Sequence, residues 1–321
     1  MNNPWSQIAK PVRDFNVRLV GNKHPLKLYW GRDTRGRYLF IYDALPDGLP
    51  EKSSLPNLEG IGAHLTNEGS ESAKLILILN ETVNWELFHA LCSDLVRATE
   101  KVEDGQTASS VLLRRLNRWQ EFLKKARSGI LSMESIKGLI GELIYLSKHV
   151  VPVFGLNNAV SFWKGPEGAP QDFAVNNTAI EIKCQSGSSK PYVRITSAEQ
   201  LDPQLPEGFL TVFTIATADE EDKEQFTLNS VVEELRIALQ TASEPARERF
   251  EDLLYLAGYI TSEAYDEHQF HVIAVKSFTL EDDFPRLKTS EIPPGIDNVT
   301  YNLSLEACAE YEGQPNWKHS Q

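Results

Sequence analysis

The 321-residue sequence predicts an α/β (α+β) fold, a mixed central β-sheet flanked by helices and preceded by an N-terminal α+β accessory domain. Three observations carry this prediction. Short runs rich in β-branched and aromatic residues alternate with segments of helical period along the whole chain. A polar stretch, Glu100 to Ser110, separates a strand-rich first hundred residues from the remainder and reads as a linker. Beyond it the order is helix, helix, hairpin, strand, short helix, strand, helices, strands. The domains are accordingly drawn as 1–105 and 106–321.

In the first domain, Val17 to Val20, Leu26 to Tyr29 and Tyr38 to Tyr42 read as strands, with Asp33-Thr34-Arg35-Gly36 as the turn between the last two. A loop rich in Pro, Gly and Ser runs from Leu45 to Glu59, Leu75 to Leu79 is a further strand, and Trp85 to Ala98 a helix. In the second domain, Val111 to Arg127 places Leu112, Leu116, Trp119 and Leu123 on one helical face. Ser132 is a candidate N-cap for a helix reaching about His149, with Glu134 in its first turn, where the helix dipole favours negative charge. Strands follow at Tyr192 to Ile195 and Phe209 to Ile215, with a short helix between them at Ser197 to Leu201. Helices at Val231 to Gln240 and Glu244 to Leu256 precede late strands at Phe270 to Val275 and Val299 to Leu303.

With 41% apolar and 24% charged residues the composition is that of an ordinary globular protein. The net charge of −13 excludes a globally basic nucleic-acid binder, although a local basic patch or a bound cation can still attract a phosphate backbone. Cys92, Cys184 and Cys308 are far apart and odd in number, which fits neither a disulfide framework nor a zinc knuckle. The N-terminus lacks the basic and apolar regions of a signal peptide, and apolar runs such as Leu75 to Leu79 are too short to cross a bilayer. A cytoplasmic protein with no membrane partner is expected.

The most informative stretch is Gln171 to Lys183. Asn tolerates the positive φ of a tight hairpin, so Asn176-Asn177 is a candidate two-residue loop. Val175 then faces Thr178, Phe173 faces Ile180 and Asp172 faces Glu181, with the two acidic β-carbons about 5 Å apart. Lys183 shares their face, whereas Phe173, Val175, Ile180 and Ile182 project from an apolar one. A loop longer by one residue would put Asp172 out of step with Glu181. Two facing carboxylates repel, and a hard cation resolves the repulsion. Mg²⁺ (or Mn²⁺) held by Asp172, Glu181 and the carbonyl of Ile182 would polarise a phosphoryl oxygen and acidify a water, with Lys183 orienting the nucleophile or stabilising charge. Glu142 lies on the helical stretch Gly138-Leu139-Ile140-Gly141-Glu142-Leu143, where two glycines suggest close packing on the sheet that would bring Glu142 beside the cation.

The segments Gly138 to Leu143, Trp163-Lys164-Gly165-Pro166, Pro170-Gln171-Asp172-Phe173 and Ile180-Glu181-Ile182-Lys183 resemble the PD-(D/E)XK nuclease superfamily. More narrowly they resemble a bacterial family often encoded near restriction and phage-defence genes. Phe284-Pro285-Arg286-Leu287, Ile292 to Ile296 and Tyr301 are similar to that family's tail, so the likeness covers most of the chain. The resemblance implies a restriction-endonuclease-like core, with Asp172, Glu181 and Lys183 matching the catalytic trio and Glu142 the helix-borne acid. One departure is Gln171, inserted between Pro170 and the acid. Glu199-Gln200-Leu201 falls where related nucleases often carry a polar residue after the trio.

Blander readings stand beside these. A lone Glu-x-Lys is usually a solvated strand face. The helix over Val111 to Arg127 carries Arg114, Arg115, Arg118 and Lys125, which with Gln200 are candidate nucleic-acid contacts, but basic helical faces also serve solubility. Trp163 before Gly-Pro is a packing anchor or a stacking platform. Gly60-Ile61-Gly62 lacks the rest of a dinucleotide fingerprint, His268 and His271 read as surface residues, Asp219 to Asp222 as a solvated loop and Cys184 as core. The expectation is a Mg²⁺-dependent DNA endonuclease, or the nuclease subunit of a restriction or antiphage system. It would act on DNA with other proteins of a defence operon, a homodimer being one assembly open to it. The rival is a non-catalytic DNA-binding or assembly subunit, and the sequence does not separate DNA from RNA as substrate.

Overall fold

The computed structural model describes residues 3–67, 73–81, 85–125, 131–187, 191–218 and 224–317. The chain divides into two compact units, Met1–Gly129 with Ile260–Ser262, and Ile130–Tyr259 with Glu263–Gln321. The acidic run Asp219 to Asp222 lies outside the described residues.

Among the described residues, the first unit is a five-stranded antiparallel sheet with two α-helices. Its strands are β1 (Phe15–Leu19), β2 (Lys27–Asp33), β3 (Tyr38–Ala44), β4 (Ile61–Asn67) and β5 (Ala73–Leu79), in the spatial order β1-β2-β3-β5-β4. The helices are α1 (Trp85–Ala98) and α2 (Gly105–Lys125). The β2–β3 turn forms as expected: Gly36 has φ +86° and the Asp33 carboxylate accepts from the Arg35 and Arg37 amides. Strand β4 was not expected, because Gly62, Ala63, His64 and Asn67 are weak strand formers. Its pairing along the whole of β5 supplies what local propensity lacks.

From Gly105 onward the polar stretch read as a linker is instead the start of α2. Asp104 caps that helix, its carboxylate accepting from the Thr107 amide (2.8 Å), and a Cβ on Gly105 would lie 2.8 Å from the Cα of Gly48. The boundary therefore moves from residue 105 to residue 129, and the basic helix belongs to the first unit.

The second unit opens with α3 (Met133–Tyr145). Ser132 caps it as expected, accepting from the Ser135 amide. The chain continues through a single π-turn, Leu146–Val150, into α4 (Val151–Phe162), which is broken at Gly155 (φ 72°, ψ 161°). Met133–Phe162 is long and apolar enough to cross a membrane, longer than the apolar runs noted in the sequence. Its hydropathy has a different origin here: Leu139, Ile140, Leu143, Leu146, Val150, Ala159 and Val160 are buried in the unit's core.

The central sheet comprises β6 (Phe173–Val175), β7 (Thr178–Ser186), β9 (Glu207–Thr217) and β10 (Phe270–Thr279), ordered β10-β9-β7-β6. Strands β7 and β9 are parallel and the outer pairs antiparallel, so the sheet is mixed. Along the chain, β7 and β9 are separated by β8 (Tyr192–Ile195), which pairs with β11 (Tyr301–Ser304) in a two-stranded ribbon. One face of the central sheet, with Phe173, Ile180, Ile182, Phe213 and Ile215, packs with α3, α4, α5 (Leu228–Leu239) and α6 (Glu244–Leu256). The other face, through Leu210, Val212 and Phe278, packs with Val193 and Ile195 of the ribbon. Strand β9 is buried from Gly208 to Phe213, which explains its near-continuous apolar run. The hydroxyls of Thr211 and Ser277, opposite each other within this sheet, share a hydrogen bond of 2.7 Å.

The two glycines of α3 differ. A Cβ on Gly141 would collide with Cys184 Sγ and lie 3.3 Å from Ile182 Cγ2, whereas one on Gly138 would meet nothing within 4 Å. Close approach of helix to sheet therefore rests on Gly141 alone. Gly141→Ala is expected to lower stability by about 1–3 kcal/mol, with partial recovery on adding Cys184→Ala. Gly138→Ala is expected to raise it by about 0.5–1 kcal/mol, since a helix interior favours alanine. Urea denaturation midpoints check both signs.

Candidate active site

The hairpin has the expected register: Val175 opposes Thr178 and Phe173 opposes Ile180. Only the first loop residue, Asn176, has positive φ (52°), which is the φ pattern of a II′ turn. Asp172 sits just before β6, and its Oδ2 accepts from the Ile182 amide at 2.7 Å. Ile182 thus enters the site through its backbone, while its side chain stays in the core.

Glu181 is almost completely buried, on the strand at the centre of the site. Its Oε1 accepts from Lys183 Nζ at 2.6 Å, and its Oε2 is buried without a hydrogen-bond partner. The ammonium of Lys183 also donates to Gln200 Oε1 (3.2 Å), on the short 3₁₀ turn Ala198–Leu201 that follows β8. Gln200 therefore faces the lysine, which differs from its expected place among the nucleic-acid contacts.

Glu142, the residue after Gly141, reaches the same place. Its Oε2 accepts from the indole N–H of the fully buried Trp163 (2.7 Å). Trp163 also bridges to Phe173 and packs near Phe250, so it is a packing anchor that in addition orients an acid. Gly165 closes the site. A Cβ at that position would lie 2.6 Å from Asp172 Oδ1 and 3.2 Å from Glu142 Oε2, so the two acids converge on a cradle that any larger residue would fill. The Lys164 and Gly165 amides donate to the Asp172 carbonyl (2.7 and 3.0 Å), fixing this segment against the hairpin. The sequence marks Trp163 as a packing anchor or a stacking platform and Gly165 only as part of a segment that carries the resemblance; their acidic partners, 21 and 7 residues away, reveal their part in the site.

The electrostatics follow from three acids sharing a buried place. Burial, helped by the charge of Asp172, raises the Glu142 and Glu181 carboxyls well above the usual range. Burial raises Asp172 to about 6 against the lowering effect of the Ile182 amide and Lys183. Burial also pushes the Cys184 thiol up to about 12, in keeping with an unreactive core cysteine.

Among the described residues no group of three or more His, Cys, Asp or Glu stands ready as a metal-binding cluster. The donor set nevertheless fits a hard cation that keeps several waters, because Glu181 Oε2 is orphaned and Asp172 Oδ1 faces the Gly165 cradle.

The basic helix does not behave as a unit. Arg115 is buried, with Nη1 3.9 Å from the buried Asp94 carboxylate, to which Trp119 Nε1 also donates (3.0 Å). Its charge is committed inside the first unit, so it is removed from the candidate nucleic-acid contacts. Arg114 and Arg118 are exposed, and the Lys125 side chain lies outside the described residues. His268 is exposed, while His271 is half-buried with its Nδ1 buried.

The model of the family described as "Putative PD-(D/E)XK family member, (DUF4420)" matches residues 1–306. The chain belongs to that family. No curated protein and no solved structure matches it. Membership agrees with the mixed α+β architecture, and the four segments that carried the resemblance all lie in the second unit.

Proposed function

We propose that the second unit is a divalent-cation-dependent nuclease that hydrolyses phosphodiester bonds in DNA. The observation that carries this reading is the unpartnered Glu181 Oε2, buried on the same strand as Lys183 and beside the Asp172 carboxylate. An orphaned, desolvated acceptor costs about 1–3 kcal/mol, and a bound cation would offset that penalty. Asp172, Glu181 and the Ile182 carbonyl would hold Mg²⁺ or Mn²⁺, which would supply Lewis acidity toward a phosphoryl oxygen. Lys183, held by Glu181 and Gln200, would stabilise the negative charge that the phosphate gains and orient the attacking water. Glu142, held by the Trp163 indole, completes the acidic surround and bounds the space left for the phosphate. A cytoplasmic setting is proposed from the scattered cysteines and the N-terminal sequence, and cooperation with restriction or defence proteins from the family resemblance noted in the sequence.

A second reading, a DNA-binding or assembly subunit without catalysis, is favoured by the net charge of −13 and by the loss of Arg115 as a phosphate contact. Incubation with supercoiled and linear DNA plus Mg²⁺ or Mn²⁺ tests the first. Nicked and linear products are expected, and absence of cutting by both the isolated protein and its complex with operon partners would overturn it. Calorimetric titration with Mn²⁺ separates the two, since the second reading requires no cation binding at Asp172 and Glu181.

A further inference from the structure

We propose that Gln171, the residue inserted between Pro170 and Asp172, is a positioning residue that fixes Lys183 relative to the acids by anchoring the turn that carries Gln200. The proposal rests on the nuclease reading for its consequence, but its geometry stands alone. Gln171 Nε2 donates to the backbone carbonyls of Glu199 and, at 3.4 Å, of Gln200. Both carbonyls belong to the turn Ala198–Leu201, whose own backbone bonds are long: Gln200 N to Ser197 O is 3.3 Å and Asp202 N to Glu199 O is 3.2 Å. A turn of four residues leaves most of its carbonyls without internal donors, so a side-chain amide delivered from outside is a substantial part of what fixes it.

The same turn presents Gln200 Oε1, which accepts from Thr196 N (2.9 Å), Thr196 Oγ1 (3.1 Å) and Lys183 Nζ (3.2 Å). The ammonium is therefore held from two sides, by Glu181 on its own strand and by an amide on the turn. The Gln171 side chain links the Asp172 segment to that turn. One side chain thus connects the acid that opens the hairpin to the lysine that follows it. A sequence with proline directly before the acid has no donor here, because proline offers neither an N–H nor a polar side chain. The inserted residue supplies one.

The experiment uses the full-length protein. Gln171→Met keeps the length of the side chain and removes the donor, whereas Gln171→Lys keeps a donor of similar reach. In cation-free protein the side-chain amide signal of Gln200, assigned by its loss in Gln200→Ala, is expected to shift and broaden in Gln171→Met and to return toward the parent position in Gln171→Lys. In single-turnover cleavage with Mn²⁺, Gln171→Met is expected to be slower by about tenfold with KM unchanged, the scale of a displaced catalytic group. It is expected to add nothing in a Gln200→Ala background. An unchanged Gln200 signal in Gln171→Met overturns the proposal, as does a rate loss that adds fully to that of Gln200→Ala. If the parent protein fails to cut, the nuclease reading falls and the amide signal alone decides the role of Gln171. Should Gln171→Met not fold, Gln171→Asn, too short to reach the turn, is read in the same way.

Discussion

Asp172→Asn is expected to abolish cutting, by about 10³-fold or more, and at the same time to stabilise the cation-free protein at pH 8. The first effect follows from losing an anionic ligand at a site whose cation stabilises transition-state charge by several kcal/mol, each 1.36 kcal/mol being tenfold in rate. The second follows from linkage. An ordinary Asp carboxyl titrates near 3.9, whereas burial raises Asp172 to about 6 in the folded chain. Between those values the folded state binds more protons than the unfolded one, so stability falls as pH rises through the window. The contribution of the protonated group is full below about pH 4 and has gone above about pH 6–7. Asparagine removes the charge while its amide oxygen can still accept from the Ile182 amide, as Asp172 Oδ2 does. Thermal unfolding without cations should therefore show Asp172→Asn higher in Tm by about 3–8 °C at pH 8, by about half as much at pH 5, and indistinguishable from the parent only below about pH 4. Mn²⁺ should raise the Tm of the parent and leave that of the variant nearly unchanged. A variant less stable than the parent at pH 8 would mean that the Asp172 charge is already compensated, and would remove the reason for a cation there.

That trade between stability and chemistry also explains which parts of the site were legible in the sequence. The hairpin could be read because a two-residue Asn-Asn loop fixes register by subtraction, and register places alternating residues on known faces. Glu142 could be suspected because glycine inside a helix is unfavourable without a packing reason, although only Gly141 has one. What could not be read depends on contacts distant in sequence. The indole of Trp163 points at Glu142, Gln171 reaches a turn 28 residues on, and Arg115 is neutralised by Asp94 from the preceding helix. A basic stripe on a helical wheel says nothing about the acid that a neighbouring element will present.

The missed elements have the same cause. Strand β4 is held by its partner β5 against poor local propensity. Helix α4 was hidden by Pro152 and Gly155, residues that ordinarily end helices. Here Pro152 sits in the first turn, where its missing N–H is harmless, and Gly155 absorbs the break at φ 72°. The Asp104 cap was visible in principle, since Asp before Gly-Gln-Thr is a helix-start pattern, but the polar composition around it reads as a linker.

The cradle at Gly165 offers the sharpest separation of site from scaffold. Gly165→Ala is expected to lower cleavage by about 10²-fold or more and Mn²⁺ affinity by about tenfold, with little loss of stability. The added methyl would enter the space between Asp172 Oδ1 (2.6 Å) and Glu142 Oε2 (3.2 Å), so the Asp172 carboxylate must turn out of the cradle to make room. Gly165 does not have positive φ, so alanine brings no backbone strain. Its amide still donates to the Asp172 carbonyl. Gly168, three residues later, is the converse case. It has φ +83° and nothing within 4 Å of where a Cβ would stand, so Gly168→Ala should cost about 1–2 kcal/mol through backbone strain while leaving cutting intact. Cleavage assays, Mn²⁺ calorimetry and urea denaturation on the two variants should give opposite patterns. Full activity in Gly165→Ala would show that the Asp172 and Glu142 carboxylates do not act across this cradle. Equal loss of stability in both would show that the segment from Trp163 to Gly168 is scaffold alone, with the reaction carried by Glu181 and Lys183 on β7.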